Sequence, residues 1–235
     1  KLDDWTLTAP VSYEVDPNAF DQKAKTYAMW DDQNLYLAYV VRDASPMKNA
    51  GDDTSAAFKS GDSLHFYFSA GKETGAKSGD GGPEDYHVLM AMQKDKPVIF
   101  AFRQKKAGTE KPTRISSPAT SIDLDWMGPV PGAELAIAVQ GSAYAAEAKL
   151  PLAFFDGFRP EAGLRAAADA AVNFSDPAGS RNLSKVWWRR GATQILDIPT
   201  ELRFDRNLWG TAVFRAAEER PVVIDGQVVA RPMMY

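Results

Sequence analysis

Residues 27–69 constrain the fold more than any other stretch of the chain. Trp30 is followed by Asp31, Asp32, Gln33 and Asn34, polar residues of the kind that turn a chain back on itself. Residues 35–41, Leu-Tyr-Leu-Ala-Tyr-Val-Val, are an aliphatic and tyrosine run, the composition of a strand covered on both faces. After an acidic loop, Gly61 and Asp62 open a new alternation carried by Leu64, Phe66 and Phe68. Three strands are therefore expected in one short stretch, which points to an all-β chain.

The rest of the chain continues in the same manner. Residues 11–15 predict an edge strand, broken by Asp16, Pro17 and Asn18. Residues 70–83 carry glycines, lysines and acids with almost nothing apolar, and are expected to form a long flexible loop. Residues 86–92 and 98–103 read as the arms of a hairpin turned by residues 94–97. Residues 104–133 are rich in Gly, Pro, Ser and Lys and are expected as loop, interrupted by Ile122-Asp123-Leu124-Asp125-Trp126. Residues 134–140 and 143–150 predict two further strands around a tight Gly141-Ser142 turn. Residues 164–173 are alanine-rich and could be helical on propensity alone. Glu218-Glu219-Arg220-Pro221 is a linker-like break, followed by a small hairpin expected around Asp225-Gly226.

Several of these residues carry a family resemblance. Trp30, the acidic turn, Asn34-Leu35-Tyr36-Leu37, the strand end Arg42-Asp43 and the Gly61-Asp62-Ser63 opening resemble family 9 carbohydrate-binding modules and the wider DOMON-like group of β-sandwiches. Glu147, Leu150 and Pro151 fill a Glu-x-x-Ile-Pro type strand end of that family, and residues 207–214 resemble its closing Trp-Gly strand. Where the family typically shows Asp-Ser-Val-Glu, this chain has Asp62-Ser63-Leu64-His65, so the glutamate's role does not carry over to His65. The resemblance implies an antiparallel, jelly-roll-like β-sandwich with long polar loops. It makes residues 164–173 a strand rather than a helix, assigns Trp30 and Trp209 to the fold, and divides the chain into a sandwich over 1–216 and a linker or following segment over 217–235.

Composition narrows the function. A net charge of −4 disfavours a nucleic-acid partner, which wants a basic surface. No segment approaches the ~18 apolar residues of a membrane-spanning helix. The absence of cysteine removes disulfides, thiol chemistry and cysteine-ligated zinc together. The chain starts at Lys1 without a signal sequence, and is expected to be a processed or excised piece of a longer exported protein, extracellular or periplasmic.

Candidate sites follow from residue chemistry. The only histidines, His65 and His87, sit in expected strands and in no nucleophile motif, so no catalytic group is assigned. A pyranose lies its apolar faces on flat aromatic rings and its hydroxyls on charged or amide groups. Trp187-Trp188 followed by Arg189-Arg190 supplies those materials, and Trp126, flanked by Asp123 and Asp125, is a second candidate platform. Alternation along a strand puts one of Trp187 and Trp188 in the core and the other outward. In the resembling modules a tryptophan of this region stacks on sugar, which implies a glycan ligand and non-catalytic binding. That family often holds structural calcium, for which Asp43 and Asp62, with Asn173 and Asp176 in a later loop, are the candidate oxygen ligands. Two alternatives stay open: a non-binding spacer domain, and a haem b site built from His65, His87, Met90 and Met92 as in some DOMON-like domains.

Overall fold

The computed structural model describes residues 11–14, 22–45, 47–71, 81–214 and 228–230. Among the described residues there are sixteen strands: β1 Val11–Glu14, β2 Lys23–Trp30, β3 Asn34–Arg42, β4 Ser63–Ser69, β5 Asp85–Gln93, β6 Lys96–Arg103, β7 Thr113–Ser116 and β8 Ser121–Leu124 form the first half. The second half comprises β9 Trp126–Pro129, β10 Glu134–Gln140, β11 Ala143–Pro151, β12 Arg165–Ser175, β13 Asn182–Trp187, β14 Gly191–Thr193, β15 Gly210–Phe214 and β16 Val228–Ala230. One sheet has the order β1-β2-β3-β11-β10; the larger one runs β14-β13-β12-β4-β5-β6-β9, with β15 on β12 and β16 parallel to β15. β7 and β8 form a separate hairpin. The fold is an all-β sandwich of mostly antiparallel sheets.

The 31–34 turn forms as expected, with Asp31 Oδ1 accepting from Gln33 N (2.7 Å) and Asn34 N (2.6 Å), and it joins β2 to β3 in register Trp30↔Leu35. Between β5 and β6, Lys94 and Asp95 take φ of 47° and 62°, the left-handed pair of a two-residue hairpin. β12 is a strand despite its alanines, because it lies mid-sheet with both faces covered, where small residues fit and helical propensity is overruled. Residues 104–133, expected as loop, instead contain the β7–β8 hairpin, and Trp126 opens β9 at the margin of the large sheet. The expected turn at Asp225-Gly226, most of the 70–83 loop and Trp5 lie outside the described residues.

The main core fills the space between the sheets with Leu35, Leu37, Tyr39, Leu64, Phe66, Phe68, Val88, Tyr144 and Phe214. Trp30 meets Phe214 there edge-on, ring centroids 5.9 Å apart. A second, smaller cluster comprises Tyr67, Ala167, Ala171, Trp187, Phe204 and Trp209. Neighbours such as Phe66 and Phe68 join the main core, so the second cluster occupies the opposite face of the large sheet. That face is covered by residues of the 194–209 segment, including the short helix α1 Ile198–Leu202, rather than left to solvent.

Candidate functional site

The outer face of the large sheet takes in one of the expected sugar platforms. Trp187 is only 6% exposed. The Arg190 guanidinium lies 3.3 Å from its ring centroid and the Lys185 ammonium 4.5 Å, while the Tyr67 ring is 5.0 Å away. Its Nε1 donates to Thr193 Oγ1 at 2.9 Å. Trp188 points the other way and packs, partly buried, against the main core, with Gly210 so close that a Cβ there would come within 2.7 Å of the indole. Arg189 is exposed. The expected alternation is present, but the Trp187 ring is already stacked by the chain's own cations.

Beside it lies a buried polar layer whose members come from segments far apart in sequence. Lys185, fully buried, sits 3.5 Å from both the Tyr67 hydroxyl and Glu201 Oε2, and Glu201 also meets Lys59 at 3.1 Å. Burial lowers Lys185 to a pKa of about 8 despite the favourable glutamate. His65 Nδ1 and His87 Nε2 are 2.8 Å apart, and Ser63 Oγ is 3.0 Å from His65 Nε2. His87 Nδ1 has no partner. An unpaired buried N–H is the costlier orphan, so we assign the His87 proton to Nε2, donating to His65 Nδ1, and the His65 proton to Nε2, donating to Ser63 Oγ. Both rings are held neutral, their pKa values pushed well below the ordinary value by burial and then by Lys185. Met90 pairs with Leu64 on the core-facing side of the sheet, opposite to these rings.

The other expected platform is open. β9 pairs Trp126 with Arg103 at the sheet margin, and the partly exposed indole lies over Gly128, whose missing Cβ leaves room for it. Phe154 flanks the indole at a centroid distance of 5.7 Å. The Lys106 ammonium stands 5.7 Å from the ring, and its backbone is fixed by donation from Lys106 N to Asp125 Oδ2 at 2.8 Å. Arg103 is buried, 4.5 Å over the Tyr86 ring, and binds Asp156 at 2.6 Å, leaving the Asp156 side chain 58% exposed. Arg103, Lys106, Trp126, Phe154 and Asp156, with Pro151, line a cleft of about 350 Å³, a volume within the range of small-ligand sites. Sequence composition had pointed to Trp126; Phe154, Arg103, Lys106 and Asp156 reach it only through chain reversals.

The expected calcium ligands are partly brought together. Asp62 accepts from Lys48 N (2.8 Å) and Ser175 N (2.7 Å), and Asp43 accepts from Ser45 N (3.0 Å) while its buried Oδ2 has no partner. Burial raises Asp62 to about 7, and the nearby Asp43 charge adds to the rise. Asn173 donates instead to Phe58 O at 2.7 Å, though its Oδ1 is buried without a partner. Asp176 caps its own turn through Ser180 and Arg181. Among the described residues no three acidic or histidine groups converge.

No protein-family model matches the chain, and no curated protein matches it. Solved structures do. A family 9 carbohydrate-binding module from Caldicellulosiruptor kristjanssonii in complex with cellotriose superposes with a TM-score of 0.58 at 15% identity, covering 94% of this chain and 90% of that one. A module of the same family and organism in complex with glucose gives 0.54 at 15% identity, covering 89% and 85%. At such identity the likeness is one of fold.

Proposed function

We propose that this chain is a non-catalytic carbohydrate-binding module of a larger, exported, bacterial polysaccharide-active protein, and that it holds its glycan over Trp126. The observation that carries the reading is the cleft itself: a partly exposed indole with Phe154 beside it, a cation at its rim and an accessible carboxylate. A sugar ring would lie on Trp126, with Lys106 and Asp156 taking hydroxyls. Fold likeness to modules solved in complex with cellotriose and glucose supports the same class of ligand. Asp156 is the one carboxylate among the described lining residues, whereas glycoside hydrolysis calls for a facing pair. Arg189, which is exposed, and Trp188, which packs against the main core, do not line this cleft.

A calcium ion would take the Asp43–Asp62 corner, where a buried Asp43 oxygen without a partner lies near a second carboxylate whose pKa burial raises to about 7. Asn173 Oδ1 would be the neutral addition to that pair; Asp176 is committed to its turn.

Calorimetric titration against mono- and oligosaccharides, with and without calcium, tests both parts. Heat with a glycan that vanishes in Trp126→Ala supports the reading. Folded protein that gives no heat with any glycan makes it a spacer, and binding that survives Trp126→Ala moves the site elsewhere.

A further inference from the structure

The five-stranded sheet ends in β10, and among the described residues nothing pairs with its outer edge. Natural edge strands are usually guarded by lysine, proline or a bulge. β10, Glu-Leu-Ala-Ile-Ala-Val-Gln, has none of these, and its single charge, Glu134, is taken by Lys149 at 2.9 Å. Its side chains are also left open: Leu135 and Ile137 pack only partly on the core, and Val139 is 55% exposed. Beside them a groove of about 510 Å³, lined by Val98, Ile99, Phe100, Val130 and Leu135 among others, runs between β10 and β6 of the opposite sheet.

The register decides what fits this edge. The β10–β11 hairpin closes on Gln140↔Ala143 around a two-residue turn, so the even-numbered residues of β10 aim their backbone groups at β11. Leu135, Ile137 and Val139 therefore aim theirs outward. In an antiparallel pair, outward-aimed residues must lie opposite outward-aimed residues. A second β10 satisfies this with Ile137 on a two-fold axis, setting Leu135 opposite Val139 and Glu134 opposite Gln140. No like charges face one another, and every outward N–H and C=O of the three residues finds a partner.

We propose that two copies of this chain pair antiparallel through β10, making one continuous ten-stranded sheet about a two-fold axis at Ile137. The pairing covers Val139 and joins the two apolar grooves. It is an isologous contact, the commonest kind among homodimers. Because Val130 of the groove is the chain neighbour of Pro131 of the Trp126 cleft, the dimer carries two clefts on one rigid body and would bind a repeating polymer with avidity.

Sedimentation velocity of the 235-residue chain should show a concentration-dependent dimer; a monomer at every concentration overturns the proposal. Val139→Pro removes only an outward N–H, which a free edge tolerates. It should therefore keep the far-ultraviolet and thermal profile of the parent while sedimenting as a monomer, and a folded variant that still dimerises overturns the interface. The register has its own test, which does not depend on the proline variant folding. The chain has no cysteine, and the Cα separation of a paired antiparallel position suits a disulfide. Ile137→Cys should form a covalent dimer on mild oxidation and Val139→Cys, opposite Leu135, should not. Equal crosslinking of the two overturns the register.

Discussion

Trp187 and Trp126 are each a tryptophan beside a basic residue, and the fold treats them in opposite ways. Trp187 lies on a sheet face that the 194–209 segment closes over, and its ring ends up stacked by Arg190 within a network that includes Lys185 and Glu201. Trp126 stands at the sheet margin, where the sandwich stops and the indole stays partly exposed along a cleft. Side-chain chemistry is nearly the same in both places. The difference is whether a later part of the chain covers the ring, which turns one cation–aromatic pair into a piece of core and leaves the other as a surface for a ligand.

The contrast can be broken by substitution. The largest effect is expected from Trp187→Ala, which should lower stability by about 3–5 kcal/mol, as for other buried aromatic truncations. Denaturant unfolding reads it, and glycan affinity of the protein that remains folded should be unchanged. Trp126→Ala should do the reverse, leaving the unfolding midpoint within experimental scatter and weakening glycan binding by about 2 kcal/mol, about thirtyfold, in calorimetry.

Lys185 sharpens the comparison through pH. Its pKa is about 8 in the folded protein against an ordinary 10.5, so between those values the unfolded chain holds a proton that the folded chain has released. Stability owed to this group therefore rises with pH across that window, and the penalty is fully present below about pH 8. Lys185→Met should remove this rise, seen as a difference from the parent in unfolding free energy between pH 8 and 10. The two histidines, being the only ones in the chain, should show imidazole resonances that remain in the neutral Nε2–H form well below pH 6.5, the ordinary value. The smallest effect belongs to Lys106→Ala, which loses a partly exposed cation at the rim of the Trp126 ring and with it a sugar hydroxyl's partner, worth about 0.5–1 kcal/mol, and so should weaken glycan binding a few-fold.

Local signals carried much of the strand framework. The Asp31–Asn34 turn, the alternation in β4, the Gly141-Ser142 hairpin and the strand at residues 165–175 are written in short-range chemistry or in a family pattern, and each forms. The 104–133 region was less legible, because β7, β8 and β9 are four-residue strands set in a stretch whose Gly, Pro, Ser and Lys content reads as loop. The Asp43 and Asp62 pair was legible as two acids flanking a single loop, whereas Asp176 looked equivalent until its oxygens were seen to cap a turn.

The sequence by itself determined that the chain is all-β, where its tight turns fall and which residue types were available for a sugar or an ion. It could do so because turn geometry and strand alternation act over a few residues. Only the tertiary structure decided which tryptophan is covered, that Ser63, His65 and His87 form one neutral chain, and that Arg103, Lys106, Trp126, Phe154 and Asp156 share a cleft. Those outcomes depend on segments distant in sequence meeting across sheets, and side-chain composition is the same whether they meet or not.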